Sequence, residues 1–163
     1  MSTYIDFTPY KYSLNFKKLA DKFNLVQVSV GWLGKDSEFK TFDDITKTAL
    51  TDEVMNALLE LCCKTRVQMR GWHDCELCDK EVTKTGDYRK VYFDKNEYLL
   101  GSGEMGVACH SFLMVAPNLI YHYITKHNYL PPDVFIEGIK NHIKEQKEAK
   151  SNVEQYFSGT KYR

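Results

Sequence analysis

The sequence predicts an α+β fold, a small antiparallel sheet packed with three or four helices. Two observations carry this: amphipathic helical periods toward both ends, and short β-prone pieces broken by turn residues in the middle. At 163 residues the chain suits a single domain with a sizeable core. We place that domain over residues 1–143 and read 144–163 as a charged tail, either a helical extension or flexible.

After Ser13, a candidate N-cap, Leu14, Phe16, Leu19, Ala20 and Phe23 recur at helical spacing, which predicts a helix over 14–23. Val26, Val28, Val30 and Trp32 then alternate with Gln27, Ser29 and Gly31, the period of a strand with one buried face. Thr51-Asp52-Glu53 opens the plainest helix: a hydroxyl caps free amides, two carboxylates meet the positive helix end, and Val54, Leu58, Leu61 and Cys62 form one stripe ending near Lys64. From Gln68 to about Val115 come β-prone pieces (67–72, 88–93, 97–100 and 105–114), arranged most simply as an antiparallel meander. Pro117 starts a helix to about His127. The Pro131-Pro132-Asp133 break starts another, with Phe135, Ile136, Ile139 and Ile143 on one side.

Lys plus Arg and Asp plus Glu number 22 each, so the chain has no net field to attract nucleic acid or an anionic membrane. The N-terminus lacks a basic and apolar leader, and no run approaches the roughly 18 apolar residues of a membrane span. Five cysteines, two of them the vicinal pair Cys62-Cys63, do not suit a secreted disulfide framework. A cytoplasmic protein with free or metal-bound thiols is the expectation.

The stretch G-W-H-D-C-E-L-C places His73, Cys75 and Cys78 together. Two residues between thiolates let a tight turn aim both sulfurs at one zinc ion. Further ligands are available from His122 and His127. These lie about 140° apart on an ideal helix, so both can bind only if the helix end loosens, as Asn128 and the two prolines suggest. Otherwise His73, Cys75, Cys78 and His122 form the better set. The plain alternative is two half-buried thiols beside a packed His122 and a helix-terminal His127. A thioredoxin-like redox pair fits worse, because no strand-to-helix junction of a βαβ unit surrounds the cysteines.

Gly101-Ser102-Gly103-Glu104-Met105-Gly106 spells a dinucleotide fingerprint, but strand rather than helix should follow, which leaves a Gly-rich turn. Cys109-His110 suggests a thiol with a base. Neighbours on a strand point to opposite faces, so they should not pair with each other, and Cys109 would need His73 or His122.

The ordered set Val30-Gly31-Trp32-Leu33, Arg70-Gly71-Trp72-His73-x-Cys75-x2-Cys78, Leu100-Gly101-x-Gly103-Glu104-Met105, Ala116-Pro117-x-Leu119-Ile120-Tyr121-His122-Tyr123, His127-x-Tyr129 and Pro131-Pro132-x-x-Phe135 resembles an uncharacterised family of small bacterial proteins, a domain of unknown function. The resemblance runs from about 28 to 140. It implies that the histidine, the two cysteines and the later histidines work together, and implies no activity. The segment before residue 26 and the tail after 143 depart from the pattern.

The expectation is a small domain with a structural zinc ion and an unidentified protein partner. One specific form is an immunity protein neutralising a bacterial toxin. A third reading is a zinc-dependent hydrolase with His73, Cys75 and Cys78 as ligands, water in the fourth place and Glu104 or Glu76 as base. Its weakness is that two thiolates blunt the ion as a Lewis acid, and no H-E-x-x-H signature is present.

Overall fold

A computed structural model of the chain describes residues 3–43, 46–65, 67–69 and 71–159. The helix α1 runs Leu14–Phe23 and stops at Asn24, which turns left-handed (φ 52°) and returns its N–H to Ala20 and Asp21 carbonyls. Ser13 stands at the N-cap but makes no capping bond, and only Phe16 and Ala20 of the predicted stripe are fully buried. The strand β1 is Val26–Ser29, shorter than its pattern. From Val28 to Gly34 every residue is buried, so the alternation does not mark one wet face.

Helix α2, Asp52–Cys63, follows the sequence closely: Thr51 Oγ1 accepts the Val54 N–H at 3.3 Å. The remaining elements are β2 (Val67–Gln68), α3 (Lys80–Thr85), β3 (Lys90–Phe93), β4 (Asn96–Leu99), β5 (Gly103–Cys109), β6 (Phe112–Pro117), α4 (Ile120–His127) and α5 (Asp133–Gly159). Three details differ from the sequence reading. Helix α3 was not expected; the single 105–114 piece is two strands joined by a turn; and Pro117 ends β6 instead of starting α4.

The α+β class is seen, but the sheet is not one meander. Its order is β1-β6-β5-β2, with β6-β5 and β5-β2 antiparallel and β1-β6 parallel, while β3-β4 forms a separate two-stranded sheet. The outer edge of β1 is taken by the N-terminal segment, through Tyr10 N–H to Gln27 O (3.1 Å) and Ser29 N–H to Thr8 O (2.9 Å). That covers an edge which would otherwise be open to another chain.

The main sheet lies between two cores. Val28, Met105, Val107, Met114 and Ala116 meet Leu58, Tyr123, Phe135, Ile136 and Ile139 of the helices. On the opposite face Leu113 and Val115 meet Phe16, Ala20, Tyr10 and Trp32. This second core contains a carboxyl group: Glu104 is fully buried and accepts a hydrogen bond from the Tyr10 hydroxyl, while Tyr10 stacks on Trp32 at 5.3 Å. Burial raises the Glu104 pKa above the usual carboxylate range.

The first half of α5 packs its apolar side on the sheet and α2. Beyond Ile143 the helix carries on to Gly159; Lys144, Glu145, Lys147, Glu148 and Lys150 are exposed, and Lys147 meets Glu53 at 2.5 Å. Among the described residues no helix is long and apolar enough to cross a membrane.

Candidate metal centre

Residues 71–79 form an irregular segment laid over the main core. It is anchored where the His73 N–H donates to the Gly101 carbonyl at 2.7 Å. Gly101 sits at φ 105°, and a Cβ there would lie 2.8 Å from the His73 carbonyl oxygen, so only glycine permits this approach. The Gly101 turn is itself held by Asn118, whose Oδ1 accepts the N–H groups of Gly101 (2.7 Å) and Gly103 (3.3 Å) while its Nδ2 donates to Cys62 O. The G-x-G-x-x-G stretch is therefore a platform for the cysteine segment, and from Gly103 onward it is already β5, where a nucleotide site would need a helix.

Past that anchor the chain turns at Cys75 and Cys78. Backbone N–H groups of Leu77 and Cys78 point at Cys75 Sγ, an arrangement that stabilises a thiolate. Tyr88 accepts the Cys75 N–H (3.1 Å) and donates to Asp74 (2.9 Å), and Arg89 pairs with that same carboxylate. The Tyr88 ring lies 5.1 Å from the His122 ring and walls one side of the centre.

Helix α4 delivers the two histidines. Asn128, left-handed at φ 53°, sends its N–H to Tyr123 O, five residues back instead of four, and Tyr129 N–H reaches the same carbonyl at 3.2 Å. This widened last turn swings His127 toward the face of His122, which an ideal helix would not do. Cys78 Sγ lies 3.3 Å from both His122 Nε2 and His127 Nε2, and Cys75 Sγ lies 3.3 Å from His127 Nε2. The four donor atoms are all within 4.8 Å of one another.

His73 is not in this group. Its ring stands edge-on to Trp32, with 6.3 Å between centroids, and its buried Nε2 has no hydrogen-bond partner among the described residues. Its contribution is its backbone N–H. Of the predicted candidates, then, the structure brings together Cys75, Cys78, His122 and His127 and leaves His73 aside. Asn118 and Tyr88 were missed; no local pattern marks a residue that hydrogen-bonds a distant turn.

The donor set fits a metal ion. From ordinary zinc bond lengths, the sulfur–nitrogen edge of a tetrahedral site is about 3.6 Å, and three such edges here are already 3.3 Å. Burial, the largest effect, pushes the Cys75 thiol up to about 12. Burial and then the His127 charge push His122 down to about 4, which keeps its imidazole neutral and able to ligate. His127 is lowered by burial too.

The family model for a domain of unknown function, DUF7919, matches residues 2–140, which include all four donors. The chain belongs to the DUF7919 family. No curated protein and no solved structure matches it. For this DUF7919 chain the geometry of the four donors is accordingly the source of any functional reading. They could hold a metal ion, joining the segment before α3 to the end of α4.

Proposed function

We infer that this DUF7919 domain binds one structural zinc ion through Cys75, Cys78, His122 and His127, and serves as a protein-interaction module. The observation that carries the reading is the convergence of two sulfurs and two imidazole nitrogens, with Cys75 and His122 buried. Two thiolates, two neutral imidazoles and a divalent cation sum to zero charge, which suits a buried site, and thiolate with imidazole favours zinc over harder cations. When bound, the ion would supply a rigid link between two segments and little else.

Four protein donors fill a tetrahedral sphere and leave no place for a substrate water, which argues against the hydrolase reading. Its two candidate bases are also engaged elsewhere: Glu104 with Tyr10, and Glu76 Oε2 with the Lys35 N–H at 3.1 Å. The interaction role draws support from a cleft of about 1120 Å³ beside the cysteine segment. Glu76 forms part of its wall, with Ile5, Phe39, Leu130 and Pro131 as apolar lining.

Elemental emission on purified protein tests the zinc reading. One equivalent of zinc is expected, and it should be lost in the Cys78→Ser variant. A metal-free protein that takes up no zinc when offered it would overturn the assignment.

A further inference from the structure

The pair Cys109-His110 lies at the tip of the β5-β6 hairpin, away from the centre just described. On a continuous strand the two side chains would diverge. His110 is not on a continuous strand: it occupies the left-handed region at φ 53°, the first residue of the turn, and its side chain folds round toward α5. There its Nε2 lies 3.2 Å from Glu137 Oε2. Asn141, one helical turn past Glu137, directs its Nδ2 at Cys109 Sγ at 3.8 Å.

Gly138 explains how α5 comes this close. A Cβ at that position would lie 2.5 Å from Val107 Cγ1 and 3.2 Å from both Ala108 O and Cys109 Cβ. The helix backbone can rest on the strand only because no side chain intervenes, and this sets Glu137 beside the hairpin tip. One donor atom each from Cys109, His110 and Glu137 consequently falls within 4.8 Å of the other two.

We propose that Cys109, His110 and Glu137 form a second, solvent-accessible site for a divalent transition-metal ion. The nitrogen–oxygen edge of a tetrahedral zinc site is about 3.3 Å, close to the 3.2 Å separation of His110 and Glu137. Thiolate, imidazole and carboxylate together select zinc or cobalt over magnesium and calcium, which prefer all-oxygen sets. A cation also resolves a conflict built into the cluster, since ionised Cys109 would face the Glu137 carboxylate at close range, a repulsion that raises the thiol's pKa after burial has done so. With three protein ligands the fourth position falls to water. His110 and Glu137 are more than half exposed, so this ion exchanges with solvent, in contrast to the enclosed four-donor centre.

Cobalt titration of the full chain, after dialysis against a weak chelator, tests the assignment. Wild-type protein should take up one labile equivalent with a sulfur-to-cobalt absorption band, beyond whatever ion it retains through dialysis. His110→Asn keeps the left-handed backbone preference and Glu137→Gln keeps the shape; each should weaken that labile equivalent at least tenfold with unchanged melting in the absence of added metal. Cys78→Ser should leave the labile equivalent in place, which separates this site from the four-donor centre whether or not the latter binds zinc. Equal uptake and affinity in wild type, His110→Asn and Glu137→Gln would overturn the proposal, leaving the His110–Glu137 contact a plain ion pair. Absence of any labile equivalent in the wild type would overturn it as well.

Discussion

Removing the ion from the Cys75, Cys78, His122, His127 centre should loosen residues 71–79 before it unfolds the domain. Without the ion the segment still has at least five hydrogen bonds: His73 N–H to Gly101 O (2.7 Å), Cys75 N–H to Tyr88 Oη (3.1 Å), Lys35 N–H to Glu76 Oε2 (3.1 Å), Tyr88 O–H to Asp74 Oδ1 (2.9 Å) and the Arg89 guanidinium to the same carboxylate. At about 1 kcal/mol net apiece they contribute roughly 5 kcal/mol. An ion held at a thousand times its dissociation constant adds about 4 kcal/mol. Its loss should therefore speed amide exchange in this segment by roughly 10³-fold. For a domain of this size the same 4 kcal/mol lowers the melting temperature by about 8–16 °C. Apart from Cys75, with Leu77 and Cys78 packed beside it, both cores are built from other segments, so far-ultraviolet circular dichroism should be nearly unchanged at 25 °C. Hydrogen exchange read by mass spectrometry on a peptide spanning the segment, with and without a strong chelator, is the assay. Equal exchange rates and a melting shift under about 2 °C, in protein shown by emission to have lost its metal, would refute the structural role.

Three further outcomes follow from particular groups. Because burial holds the Cys75 proton up to about 12, binding must expel it at neutral pH, so zinc affinity should fall about tenfold per pH unit from 8 to 6 for that proton alone, with His122 competing only near pH 4; competition with a chromophoric chelator measures this, and a flat profile would exclude the thiol as a ligand. Gly31→Ala places a Cβ 2.7 Å from Ile120 Cδ1 at φ 69°, and left-handed strain plus overpacking should cost about 2–4 kcal/mol by urea denaturation; a cost below about 1 kcal/mol would mean that the contact relaxes freely. Glu104 has a folded pKa raised by burial, so the folded state holds its proton more tightly than the unfolded chain, and stability at this site is gained as pH falls and lost as pH rises through the shifted pKa. Glu104→Gln should flatten that dependence and match or exceed wild-type stability at pH 8, and a loss above about 2 kcal/mol there would show that the carboxylate charge is paired.

What could be read from the residues was what depends on near neighbours in the chain. Helix α2 announced itself through Thr51, two acidic residues and a clean apolar stripe, and the prolines at 131 and 132 separated α4 from α5. Helix α3 gave no such pattern, because Val82 is its one apolar residue and is largely exposed; Asp79 and Gly86 at its ends were the available signs. The turn inside 105–114 stayed hidden because a histidine and not a glycine occupies the left-handed position. The parallel pairing of β1 with β6 has no local signature at all. At the candidate metal centre, cysteine spacing and the histidine pair were legible, whereas the placing of His127 and not His73 beside the cysteines depended on how Asn128 widens the end of α4.

The β1-β6 pairing also sets an order of events during synthesis. Val26 pairs with Phe112, so when β1 leaves the ribosome its inner neighbour is still about 85 residues from emerging. At 5–20 residues per second that is a wait of roughly 4 to 17 s. Val28 and the apolar run after it must spend this interval without the strand that will pair with β1, while α2 and the middle of the chain are still being made. Nascent chains stalled short of residue 112 should for this reason recruit chaperones, while chains stalled past α4 should not.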